Sequence, residues 1–115
     1  MVKTFNKEEI VFQINEAKKA ARVAATQFFS EKMNNTDNFP CGFAWVKVVG
    51  IKLNSKVGKV FAEMGFRKSF SGGIDIWNPS GLNVQNVDTK EAGTEEFAAV
   101  LRKYGYTAYS GSRLD

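Results

Sequence analysis

Two tryptophans and three cations are the residues of this chain best suited to bind a ligand. Trp45 and Lys47 stand in the run Phe43-Ala44-Trp45-Val46-Lys47-Val48-Val49, Trp77 closes Ile74-Asp75-Ile76-Trp77, and Arg67 and Lys68 lie between the two runs. Residues two apart on a strand share a face. Phe43, Trp45 and Lys47 therefore point one way, and Ala44, Val46 and Val48 the other. With Val46, Val48, Ile74 and Ile76 as core residues, Trp45, Lys47, Asp75 and Trp77 share the opposite face. Indole rings on an open sheet can stack nucleobases while lysines and arginines hold phosphates. Soluble proteins seldom leave such a patch bare, so three arrangements are open. The N-terminal helix lies across the tryptophans, or a second copy of the chain covers them. Otherwise the face takes nucleic acid, with bases on Trp45 and Trp77 and phosphates on Lys47, Arg67 and Lys68. No RNP1-like string accompanies them.

A weaker anion site is Asn54-Ser55-Lys56-Val57-Gly58-Lys59, where backbone N–H groups at a helix start, with Ser55, Lys56 and Lys59, can hold a phosphate. It lacks P-loop spacing, and a plain Ser55 cap with solvated lysines explains the same residues.

The chain has no histidine, which excludes chemistry built on an imidazole base or metal ligand. Cys41 is the only cysteine, so neither an internal disulfide nor a cysteine-rich metal site can form. An enzyme would have to work with Glu63, Asp75, Asp88, Glu91, Lys47, Cys41 or the tyrosines, and Asp75, between two isoleucines, is the most unusual of these. No cofactor and no metal are expected.

These residues belong to a chain of 115 residues, 43% hydrophobic and 24% charged, which is one domain of ordinary globular composition. The net charge of +4 is unevenly spread. Residues 41–70 carry six basic groups and one acidic group, whereas residues 71–115 carry four basic and six acidic. Neither a signal peptide nor a membrane span is expected. A soluble cytoplasmic protein follows as the expectation.

The positioning elements follow from pattern. Asn6, with Glu9 three residues on, predicts a capped helix over residues 7–33. Its stripe is Ile10, Ile14, Ala17, Ala21, Ala24 and Phe28, and the small residues at its middle invite a close neighbour. Asn34 to Asn38 end it, and Phe39-Pro40-Cys41-Gly42 leads into a strand over 43–49. A helix capped by Asn54 or Ser55 and stopped by Gly65 follows. Strands over 66–70 and 74–77 flank the turn Ser71-Gly72-Gly73, Asn78-Pro79-Ser80-Gly81 suits a type I turn, and residues 82–87 are a loop or a short edge strand. Asp88 is the expected cap of the last helix, with Gly105 its stop. A strand over 106–109 and a polar tail over 110–115 end the chain. The segments Val60 to Phe66 and Val100 to Tyr106 echo each other, through shared helix-stop chemistry or through duplication.

The order β-α-β-β-α-β after the first helix is that of a ferredoxin-like core. The expected fold is α+β: a long N-terminal helix followed by a ferredoxin-like βαββαβ core over residues 43–110, with a mainly antiparallel sheet whose first and third strands are central.

Gly65-Phe66-Arg67-Lys68-Ser69-Phe70-Ser71-Gly72-Gly73, Ile76-Trp77-Asn78-Pro79-Ser80-Gly81 and the ending Tyr106-Thr107-Ala108-Tyr109-Ser110-Gly111-Ser112-Arg113-Leu114-Asp115 resemble small tailed-bacteriophage proteins of no known function. The resemblance implies a host-cytoplasm setting and brings no activity or site residue. The expected function is that of a small non-enzymatic binding protein, oligomeric, with nucleic acid or a host protein as partner. A homo-oligomeric structural protein without a ligand is the alternative, and a histidine-independent enzyme comes third.

Overall fold

Helix α1 (Lys7–Lys32) starts at the expected capping box. Asn6 accepts a hydrogen bond from the Glu9 N–H at 2.8 Å, and Glu9 accepts one from the Asn6 N–H at 2.9 Å. The computed structural model that shows this describes residues 5–38 and 40–115. Residues 1–4, at the chain start, and 39, in the lead-in to the first strand, lie outside the described residues. Asn34 and Asn35 end the helix with φ of 51° and 56°, the left-handed conformation that asparagine tolerates.

The buried stripe of α1 is Ile10, Ile14, Ala17, Ala21 and Ala25. Its last buried position is Ala25, whereas the expected Ala24 and Phe28 are only partly buried, because of what packs there. Helix α3 (Val87–Lys103) lies along α1 and presents Gly93. A Cβ on Gly93 would stand 3.3 Å from the Ala21 carbonyl oxygen and 3.5 Å from the Ala25 Cβ. Small residues on both helices let the backbones approach. Farther along, Glu16 accepts hydrogen bonds from Lys103 Nζ and Tyr104 Oη, and Gln13 accepts one from the buried Tyr106 hydroxyl at 2.6 Å. The apolar stripe of α1 is thus spent on α3 and the core, so the helix neither projects nor lies across the tryptophans.

The remaining elements are β1 (Gly42–Val49), α2 (Lys56–Glu63), β2 (Arg67–Lys68), β3 (Ile74–Trp77) and β4 (Thr107–Leu114). They form an α+β fold with a four-stranded sheet of order β2-β3-β1-β4, antiparallel at each pairing. Ala44, Val46, Val48, Ile74, Ile76 and Ala108 are buried on the helix side. Phe61, Phe66, Phe97 and Tyr106 fill the space between sheet and helices, with Phe61 edge-on to both Phe66 and Tyr106.

The two echoing segments end their helices identically. The Gly65 N–H bonds the Ala62 carbonyl and the Phe66 N–H bonds the Phe61 carbonyl, while Gly105 and Tyr106 do the same with Arg102 and Leu101. Both glycines have positive φ, and each following aromatic turns into the core. Both helix ends are the Schellman motif with its apolar anchor.

Three elements depart from expectation. Strand β2 has two residues rather than five, because the Ser69 N–H to Gly73 carbonyl bond at 2.9 Å closes the hairpin early. Strand β4 continues to Leu114, through residues that read as a polar tail, because it pairs β1 along its whole length down to Gly42↔Leu114. Helix α3 is capped by Asn86, not Asp88. Asn86 is fully buried and accepts from the Thr89 N–H at 2.8 Å. Residues 82–85 form a loop that ends at an isolated bridge between Cys41 and Asn86.

Asp37 holds that junction. Its carboxylate accepts from the Gln85 N–H at 2.7 Å, the Asn86 N–H at 2.9 Å and the Asn86 side-chain amide at 3.0 Å. The Asn86 amide is the largest influence, and together these donors hold the Asp37 carboxyl below the usual value of 3.8.

Two outcomes follow. Gly93→Leu overfills the helix contact and lowers stability by about 1–3 kcal/mol, read from the urea midpoint at unchanged m. A lowered folded-state pKa stabilises fully above 3.8 and is lost as pH falls through the folded value. The difference in Tm between the parent and Asp37→Asn is therefore constant near neutral pH and shrinks once pH drops below 3.8.

Candidate nucleic-acid interface

The helices cover one face of the sheet, and the other carries the expected tryptophans. Strand alternation puts Phe43, Trp45, Lys47 and Val49 of β1 on this open face, each only partly buried. Cross-strand register then arranges the face in rows. One row runs Arg67, Asp75, Lys47, Tyr109 across β2, β3, β1 and β4. The next runs Trp77, Trp45, Gly111. A third pairs Phe43 with Arg113.

The middle row is a stack. Trp45 and Trp77 lie with ring centroids 5.0 Å apart and planes inclined by 28°. A Cβ on Gly111 would stand 2.6 Å from the Trp45 Nε1, so the indole rests on bare backbone where any side chain would lift it. At the other end the Arg67 guanidinium carbon stands 5.4 Å from the Trp77 ring centroid. Phe43 flanks Trp77 at 5.8 Å, and Arg113 stands 5.4 Å from the Phe43 ring centroid. The arrangement is therefore Gly111, Trp45, Trp77, Arg67 in order across the sheet. It is an aromatic platform with cations at its margins. Trp77 is 36% exposed and the Arg67 side chain 68%.

The flanking row is polar. Lys47 Nζ donates to the Ser71 hydroxyl at 2.8 Å and to the Ser71 carbonyl at 3.2 Å, which ties β1 to the hairpin tip. Phe70, beside Ser71 at that tip, is fully exposed. Asp75 is 6% exposed, and its Oδ1 has no hydrogen-bond partner among the described residues. The nearest cation is Arg67, with Nε at 3.6 Å, beyond hydrogen-bond range.

The structure thus brings together Trp45, Lys47, Arg67 and Trp77. It separates Lys68, which pairs with Ile74 and therefore belongs to the helix side of the sheet, where it borders a groove with Lys52, Leu53 and Asn54. One residue of register along β2 is enough to do this. Ser55 is the cap of α2: it accepts from the Gly58 N–H at 3.0 Å and donates to the Lys52 carbonyl. Its hydroxyl is occupied, and Lys56 and Lys59 are exposed.

Strand alternation in β1 already pointed to Phe43 as a platform residue. Tyr109, Gly111 and Arg113 share one parity on β4, but Ser-Gly-Ser hides the alternation. Among the enzymatic candidates, Glu63 pairs with Lys7 at 3.3 Å and Glu91 accepts from the Ser112 hydroxyl. In the helix layer, Glu31, Asp88, Glu91, Glu95 and Glu96 line a groove between α1 and α3. No cluster of three metal-binding side chains occurs among the described residues, and none of their helices is long and apolar enough to cross a membrane.

Gly111→Val forces the Trp45 indole off β4. The expected result is loss of the tryptophan near-UV circular dichroism with far-UV signal retained, at a stability cost of about 1–3 kcal/mol.

Comparison with known protein families, curated proteins and solved structures finds no match, so a functional assignment rests on the geometry of the open face.

Proposed function

We propose that this protein is a small non-enzymatic binding module whose open sheet face takes single-stranded nucleic acid. The observation that carries this is the stack of Trp45 and Trp77 on a face that no described element covers, bounded by Arg67 and Arg113. Each part has a physical task. Every base has a π-face, and a stacked base contributes about 1–3 kcal/mol whatever its identity. Lys47, Arg67 and Arg113 supply the positive margin that a phosphate backbone needs. Gly111 keeps Trp45 flat against the sheet.

The same proposal treats the chain after α1 as a ferredoxin-like core. Its support is the element order β1-α2-β2-β3-α3-β4 together with the sheet order β2-β3-β1-β4. In that arrangement α1 is an addition that thickens the helix layer and leaves the opposite face open. An accessory role of the kind implied by the resemblance to tailed-phage proteins is compatible with this face.

Tryptophan fluorescence tests the proposal. Short single-stranded DNA and RNA are expected to quench the emission. Three neutralised phosphates would weaken binding roughly twentyfold between about 50 and about 200 mM salt. Trp77→Ala is expected to cost about tenfold in affinity. A blue-shifted emission that no oligonucleotide changes overturns the proposal. Light scattering on the same sample then shows whether a second copy covers the face.

A further inference from the structure

We infer that the platform reads one base type, and that Asp75 selects guanine. The inference rests on the nucleic-acid reading of the face and concerns the last position of its stack, above Trp77.

Asp75 is unusual in two respects. It is a carboxylate 6% exposed in the middle of a sheet, and its Oδ1 accepts no hydrogen bond among the described residues. Buried carboxylate oxygens are normally satisfied, because a lone one forfeits its hydration. The two cations beside it supply charge but no hydrogen bond. Lys47, its neighbour on β1, directs Nζ to Ser71 instead. Arg67, its neighbour on β2, forms an ion pair with it at 3.6 Å, too long for a hydrogen bond.

Arg67 itself shows what fits. Its guanidinium is planar, delocalised and rich in N–H groups. It lies against the Trp77 ring with Nε toward Asp75. A nucleobase in the same place would meet the same surroundings: an indole under its face and an acceptor at its edge. The Arg67 side chain is 68% exposed, and on swinging outward it exchanges its ion pair with Asp75 and its place on Trp77 for a phosphate of the same strand.

The acceptor decides which base. An ionised carboxylate only accepts. Guanine presents two adjacent donors on its Watson–Crick edge, N1–H and N2–H, which match the two carboxylate oxygens. Adenine and cytosine present one amino donor beside a ring-nitrogen acceptor, and that acceptor would face the second oxygen across a repulsive contact. Uracil and thymine offer one N–H between two carbonyls. Guanine alone satisfies both oxygens without an opposing lone pair.

The test uses the whole chain and pyrimidine hexanucleotides carrying one central guanine, inosine, adenine or cytosine, followed by tryptophan fluorescence. The guanine oligonucleotide is expected to bind about tenfold more tightly than the adenine and cytosine ones. Inosine, which lacks the 2-amino group, falls between. Asp75→Asn is expected to bring guanine down to the level of the others while salt-dependent binding to all four persists. Equal affinity of the parent protein for all four overturns the inference and leaves the platform standing, as does a guanine preference that survives Asp75→Asn. Absence of quenching by any of them overturns the platform reading and this inference with it. If Asp75→Asn does not fold, the four-base comparison on the parent protein decides.

Discussion

The contact between the alanines of α1 and Gly93 of α3 decides what the rest of the molecule can present. A helix of 26 residues with an apolar stripe must bury that stripe somewhere. Here Ala17, Ala21 and Ala25 have no side chains long enough to hold α3 away, and Gly93 has none at all. The two backbones therefore close on each other, and the larger Ile10 and Ile14 are left to fill the core toward Phe61 and Tyr106. Because α1 is committed to the helix layer, nothing among the described elements covers the other face of the sheet. The exposure of Trp77 is thus a consequence of small residues on two distant helices.

That one-sided burial also fixes the register of the sheet. Slipping β1 by one residue would place Phe43, Trp45 and Lys47 under the helices and expose Ala44, Val46 and Val48. A lysine and two large aromatics cannot be accommodated where Val46 and Val48 now sit at zero exposure. The same register aligns Trp45 with Trp77 on one side and Gly111 on the other, so the stack and the core are specified together. Asp37, at the far end, secures the geometry of β1 differently. It holds the buried Asn86 cap of α3 against the start of the strand, and Lys90 adds a bond to the Gly42 carbonyl at 2.7 Å.

Much of this was legible in the residues. The alternation of Phe43 to Val49 separates core from open face without ambiguity, and the Asn6–Glu9 box and the stops at Gly65 and Gly105 locate helix ends through local chemistry. What could not be read depends on distant partners. A stripe of alanines says that something comes close, not that it is α3. Residues 110–114 look like a tail because Ser-Gly-Ser-Arg has no strand preference of its own. Pairing to β1 makes them a strand, and in doing so places Gly111 and Arg113 in the site. Lys68 and Arg67 are adjacent and chemically alike, yet one residue of strand phase sends them to opposite sides of the sheet. Asp75 looked like a candidate acid, and only its cross-strand neighbours show that its acceptor is left without a hydrogen bond.

The groove between α1 and α3 gathers like charges on two helices that pack closely. Glu31, Asp88, Glu91, Glu95 and Glu96 line it, with Lys32 among them. Carboxylates that face one another across a groove repel. That repulsion opposes the close approach that the small residues of the two helices permit. Salt screens it, so this local cost of packing α3 on α1 falls as ionic strength rises.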